Sequence, residues 1–188
     1  MPAITALNAP PGLRPFDGSA IPQALRDKPR WAPWVAVWDP KREKFEKRPG
    51  LGKSTARPNT WLTFDDALAV YRTQPKRFAG VGYCMTGSHG VVGIDLDNCI
   101  TDSALAPWAA EVVEKLASYT EISPSGHGVR IFTLGEIPAD WNNHDVGIEV
   151  YGGNEARFLT VAGWHMPGTP PEVCAAPAGA LQGLGARY

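Results

Sequence analysis

The stretch Val91-Val-Gly-Ile-Asp95-Leu-Asp97 constrains this chain more than any other part of it. Its apolar lead-in reads as a buried strand, so the chain must build a sheet with covered faces. In an extended strand, residues two apart point the same way, and Asp95 and Asp97 therefore project together. Two carboxylates that close repel unless something positive lies between them, and a divalent cation is the natural occupant. Magnesium prefers carboxylate and water oxygens and bridges to substrate phosphates, so an acidic pair at a strand end points to phosphoryl or nucleotidyl transfer.

The rest of the pattern supplies partners for that strand. Alternation predicts further strands over 79–85, 119–122, 129–134, 147–151 and 157–161. Residues 79–85 and 91–97, joined by Thr86-Gly-Ser-His-Gly90, read as a hairpin. Leu105, Trp108, Ala109, Val112, Val113 and Leu116 keep helical spacing, and Thr63 with Asp66 opens a second amphipathic helix carrying Phe64, Ala67, Leu68 and Tyr71. A short helix is expected over 21–26. In Trp34-Val-Ala-Val-Trp38 the alternation puts both tryptophans on one strand face, read as core; a base-stacking platform is the other reading. Strands mixed with two packing helices predict an α+β fold.

With 188 residues the chain suits one sizeable core: an arm over 1–20, a domain over 21–166 and a Pro- and Ala-rich tail over 167–188. Cys84, Cys99 and Cys174 show no CxxC spacing, which argues against structural zinc and a disulfide framework. No membrane-length apolar run or signal segment is present, so a cytoplasmic protein without a membrane partner is expected. Charge is divided: residues 1–77 hold 14 Lys and Arg against 7 Asp and Glu, and residues 78–188 hold 4 against 12. A basic half suits a phosphate backbone and an acidic half suits cations, although two faces attracting each other would look the same.

Three further segments carry candidate chemistry. Residues 41–57 are basic, with Lys41, Arg42, Lys44, Lys47, Arg48, Lys53 and Arg57. Their GLGKST is not a P-loop, since a Walker motif needs glycine where Lys47 stands. This segment reads as a mobile loop, either contacting a polynucleotide or a triphosphate, or simply exposed. Ser125-Gly-His-Gly128 makes a tight turn whose backbone N–H groups suit an anion, with Ser125 adding a hydroxyl. His127 is either a phosphate contact or a surface turn residue. Arg130, in an otherwise apolar strand, requires an anion or a carboxylate partner. Glu149 interrupts a strand as Asp95 and Asp97 do, and would complete a metal cluster from a neighbouring strand. Arg157 could neutralise a triphosphate or pair with Glu155 or Glu149.

Taken in order, the DxD at Asp95 and Asp97, the SGxGxR at 125–130 and the strand acid Glu149 resemble the archaeo-eukaryotic primase superfamily, in particular the primase-polymerase domains of phages, plasmids and integrated elements. Asn59-Thr-Trp61 with Phe64-Asp-Asp-Ala67, Tyr119-Thr-Glu-Ile-Ser-Pro-Ser-Gly126, Ile148-Glu-Val-Tyr151 and Arg157-Phe-Leu-Thr160 extend the likeness over residues 31–163. It implies mixed or antiparallel sheets with an RRM-like half flanked by helices. It also implies a DNA primase and DNA-directed polymerase activity, transferring nucleotides from nucleoside triphosphates onto a single-stranded template or primer. Asp95, Asp97 and Glu149 would hold two Mg2+ or Mn2+ ions. Ser125, Gly126, His127, Gly128, Arg130 and Arg157 would position the triphosphate, Tyr151 would sense the sugar, and the basic segment 41–57 would track DNA. A helicase in cis or in trans is the implied partner. Arg130 stands where the superfamily's motif has histidine; it binds phosphate but neither accepts a hydrogen bond nor titrates near neutrality. A nucleotide- or nucleic-acid-binding module with weakened catalysis, and a metal-dependent phosphohydrolase using Asp95 as nucleophile, are the alternatives.

Overall fold

Two main antiparallel sheets, each backed by helix, and a two-stranded pair make up the computed structural model, which describes residues 12–87 and 89–188; the main sheets meet through an apolar cluster that includes Tyr83 against Phe132, with charged groups beside it. The elements in chain order are α1 (Gln23–Arg26), β1 (Trp31–Asp39), β2 (Lys44–Pro49), α2 (Phe64–Thr73), β3 (Gly80–Cys84), β4 (Val91–Leu96), β5 (Ile100–Thr101), β6 (Ala104–Leu105), α3 (Pro107–Leu116), β7 (Thr120–Ile122), β8 (Val129–Leu134), β9 (Trp141–Asn143), β10 (Ile148–Tyr151), β11 (Phe158–Val161) and α4 (Ala180–Arg187). The architecture is α+β, as the mixture of periods predicts.

The larger sheet has the order β7-β8-β4-β10-β9, with β4 central because its side chains are apolar enough to be buried on both faces. Val92, Ile94 and Leu96 share one face with Val129, Ile131, Ile148 and Val150, and this face packs on Ala109, Val112 and Leu116 of α3 and on Leu181 and Leu184 of α4. Helix α3 starts with Pro107 in its first turn, where the missing N–H costs nothing, and ends at Ala117 in the left-handed region.

The second sheet has the order β11-β3-β1-β2. Its core joins Trp31, Val81, Tyr83, Leu159 and Val161 to Phe64, Ala67, Leu68 and Tyr71 of α2. Thr63 caps α2 by accepting from the Asp66 N–H, in line with the capping pattern.

Several expectations are corrected. Segments 79–85 and 91–97 form no hairpin: β3 and β4 lie in different sheets, so the connection at 85–90 carries the chain from one sheet to the other. Trp34 is buried but Trp38 is 51% exposed, because β1 and β2 run beyond the core as a projecting hairpin. Segment 41–57 is thus not one loop; Lys44–Pro49 is a strand paired with β1, and only the following turn is irregular. That turn is tied down, with Trp61 Nε1 donating to the Ser54 carbonyl at 2.8 Å and Thr86 Oγ1 to the Thr55 carbonyl at 2.7 Å. Stretch 167–188, expected as a tail, supplies Val173, Ala180, Leu181 and Leu184 to the two cores. Of the expected arm, residues 1–11 lie outside the described residues, while Phe16 is buried and Asp17 caps a short 3-10 turn at Gly18–Ala20. Among the described residues, no helix is long and apolar enough to cross a membrane.

Candidate active site

The face of the larger sheet turned away from α3 and α4 carries its charges in a single register row, beside the buried Val91 and Phe132. Glu121 on β7 stands opposite Arg130 on β8, Arg130 opposite Asp95 on β4, and Asp95 opposite Glu149 on β10. Directly opposed residues in an antiparallel pair share a face, so these four side chains point the same way by construction. Asp97 follows Asp95 by two residues and lies on that face also. It is held there by its N–H bond to the Gly147 carbonyl at 2.8 Å.

Arg130 is the hub of the row. It is 2% exposed, and its guanidinium reaches Asp95 through Nε to Oδ1 at 3.3 Å and Nη2 to Oδ2 at 3.4 Å. Its Nη1 donates to both the carbonyl and the hydroxyl of Thr160 on β11 at 2.6 Å. The partners that burial of Arg130 demands are therefore a carboxylate on the adjacent strand and Thr160 of the other sheet, and this cation is committed inside the protein. The Nε contact is too bent for a hydrogen bond, which leaves Asp95 Oδ1 buried without one.

Glu121, which sequence reasoning missed as a site residue, is fully buried. It accepts from the N–H groups of Ala162 and Gly163, each at 2.8 Å, and from the Tyr119 hydroxyl at 3.1 Å. Burial pushes its carboxyl above the usual range, against those donors and Arg130. The available signal was the one that marked Glu149: an acid inside a short apolar strand. Glu149 itself accepts from the Tyr151 hydroxyl and lies 3.5 Å from His144 Nδ1. Burial, reinforced by Glu149, raises the Tyr151 phenol well above its ordinary value.

Asp97 is exposed at the end of the row, yet its carboxyl is also pushed up. Desolvation is the largest cause, followed by the negative charge of Asp95, with Glu149 adding to it and Lys47 and Arg130 opposing. Lys47 thus belongs to this site rather than to a remote loop. Burial lowers its ammonium from the usual 10.5 to about 8, helped by Arg130 and opposed by Asp95 and Asp97. A lysine lowered in the folded state penalises folding while charged, and the penalty fades between pH 8 and 10.5. Lys47→Met is therefore expected to raise the melting temperature relative to wild type below pH 8, with the gap closing as pH approaches 10.5 in paired thermal melts.

The Ser125–Gly128 turn closes on the end of β4. A Cβ on Gly128 would stand 2.4 Å from the Leu96 carbonyl oxygen and 3.4 Å from Asp97 Cα, so only glycine lets the turn approach the acids. Gly128→Ala is expected to cost about 1–3 kcal/mol and lower the melting temperature by several degrees, read by calorimetry. Ser125 Oγ lies 3.0 Å from Ser123 Oγ, Gly126 has φ +79°, and His127 is exposed at the tip. Arg157 pairs with Glu155, and its guanidinium lies over the Tyr151 ring at 5.4 Å. The structure thus gathers Asp95, Asp97, Glu149, Arg130, Tyr151, Gly128 and Lys47. Lys41, Arg42, Lys44 and Arg48 are exposed on the hairpin, and Lys53 and Arg57 lie in the turn beyond it. Among the described residues, no three His, Cys, Asp or Glu side chains stand close enough to form a preassembled metal-holding group.

Fold and site together define an antiparallel α+β domain with a carboxylate row on the sheet face between two sheets. No family model matches the chain. Compared with known proteins, it is 32% identical over 151 residues, 74% of its length, to a protein named DNA Primase-polymerase from Nitratiruptor phage NrS-1. The chain carries a primase-polymerase domain, as its motifs predict. The match covers 20% of the phage protein's own length.

Proposed function

We propose that this domain adds nucleotides from nucleoside triphosphates to a DNA strand under the direction of a single-stranded template. The observation that carries the reading is the register row itself: Asp95 opposite Glu149, Asp97 at the same strand end, and a glycine turn packed against them. The name of the phage relative supports the same activity.

Carboxylate oxygen is the donor chemistry that Mg2+ and Mn2+ take. Three carboxylates share one face, Asp95 Oδ1 is buried without a hydrogen bond, and the negative charges of Asp95 and Glu149 help push the Asp97 carboxyl up, a repulsion that a cation relieves. Asp95, Asp97 and Glu149 would hold such ions, which when bound favour attack by a 3'-hydroxyl and offset the charge leaving with pyrophosphate. Within the chain, Arg130 fixes the orientation of Asp95, and Tyr151 fixes that of Glu149. Ser125, Gly126, His127 and Gly128 cradle the triphosphate beside Asp97. Arg157, over the Tyr151 ring and paired at the surface with Glu155, is the cation we assign to that triphosphate.

The test is primer extension and de novo synthesis on single-stranded DNA, with Mg2+ or Mn2+ and with each nucleotide class. Template-dependent products are expected, and their absence with every metal and nucleotide would overturn the reading. One observation favours a second reading, a binding module with weakened catalysis: Arg130 occupies Asp95 from within and offsets its charge. Under that reading, the wild type binds strands without extending them and Arg130→His gains activity.

A further inference from the structure

The end of the β1–β2 hairpin carries side chains that a solvated edge has no use for. Trp38 is 51% exposed and Val37 38% exposed. Phe45, half-buried and directly opposite Trp38, meets the indole edge-on with ring centroids 5.1 Å apart. The cross-strand pair holds the indole as a rigid flat surface, so little side-chain freedom remains to be lost when something lies on it. Residues 38–49 hold five basic side chains against three acidic ones. Arg42 and Arg48 pair with Asp39 and Glu46, and Lys41 and Lys44 are exposed at the tip.

Register decides where this surface looks. Ala36 pairs with Lys47 and Trp38 with Phe45, so Lys47 shares a hairpin face with the aromatic pair, about 7 Å away along the strand. Lys47 is the residue that interacts electrostatically with Asp95, Asp97 and Arg130. The exposed aromatics therefore share a hairpin face with the lysine that interacts with the acids.

An aromatic face rimmed by cations matches the chemistry of a single strand, whose bases stack and whose phosphates seek charge. We propose that Trp38, backed by Phe45, is a stacking platform for one base of single-stranded DNA, with Lys41 and Lys44 meeting the flanking phosphates. This assignment rests on the template-directed reading and specifies where the strand enters.

The experiment is fluorescence anisotropy with a labelled 20-nucleotide oligothymidylate at several salt concentrations. Trp38→Ala should weaken binding about 5- to 100-fold at every salt concentration, the size of one base-aromatic contact, without changing the slope of log affinity against log salt. Lys44→Ala should instead flatten the slope by about 0.7, the signature of one lost phosphate contact. Trp38→Phe should retain most of the affinity. On a strand with abasic sites at every position, wild type and Trp38→Ala should bind alike. Undiminished binding by Trp38→Ala, or an equal loss on the abasic strand, overturns the stacking platform. If wild type extends primers while Trp38→Ala binds undiminished, the platform fails and the activity stands; if wild type neither binds nor extends, the activity itself fails.

Discussion

Asp97→Ala is expected to abolish nucleotide incorporation while leaving the fold intact. Asp97 is exposed at the end of the register row, and its placement rests on its backbone N–H bond to Gly147. Removing its side chain empties no core; it relieves the repulsion with Asp95 and Glu149 and gives up the attraction to Lys47, two opposing effects on stability. Stability should therefore be little changed. Activity should fall at least about 10³-fold, which corresponds to about 4 kcal/mol of transition-state stabilisation, a reasonable share for one metal-holding carboxylate. Primer extension measured beside a thermal melt separates the two effects. Incorporation at more than a tenth of the wild-type rate would remove Asp97 from the machinery.

Asp95→Ala should behave differently, losing stability as well as activity. Its partner Arg130 is 2% exposed, so the substitution strands a buried guanidinium whose remaining contacts are the Thr160 oxygens and the charge of Glu121. Breaking a buried pair from one side costs about 3–5 kcal/mol, or roughly 10 °C in melting temperature for a domain of this size. The double variant Asp95→Leu with Arg130→Met removes both charges and should recover most of that loss without recovering synthesis. A melting temperature for Asp95→Ala within a degree or two of wild type would show that Arg130 is not held by this carboxylate.

The acids were legible in the sequence because their common direction follows from the strand period of two alone. A strand ending in Asp95-Leu-Asp97 presents both carboxylates together whatever its neighbours are, and Glu149 and Arg130 were visible as charges in apolar strands. Pairing was not legible. A short Gly-rich link between two apolar runs reads as a hairpin, and nothing local distinguishes it from a link that crosses between sheets, which is what 85–90 does. Trp38 failed for a related reason. Alternation assigns a side chain to a face but does not say where along a nine-residue strand the core ends, and β1 is buried only over its first four residues. Lys47 looked like one of seven similar cations until β2 placed it on the face that looks towards the carboxylates. The Pro- and Ala-rich end read as a tail by composition, yet α4 needs only Ala180, Leu181 and Leu184 to anchor itself.

Arg130 touches Asp95 in one sheet and Thr160 in the other, so a single guanidinium works as a rivet across the seam. Anything that draws Asp95 outward also loosens the fastening to β11. The width of the gap between the two halves and the occupancy of the carboxylate row are thus joined by one side chain, and amide exchange along β11 becomes a gauge of what the acids are holding.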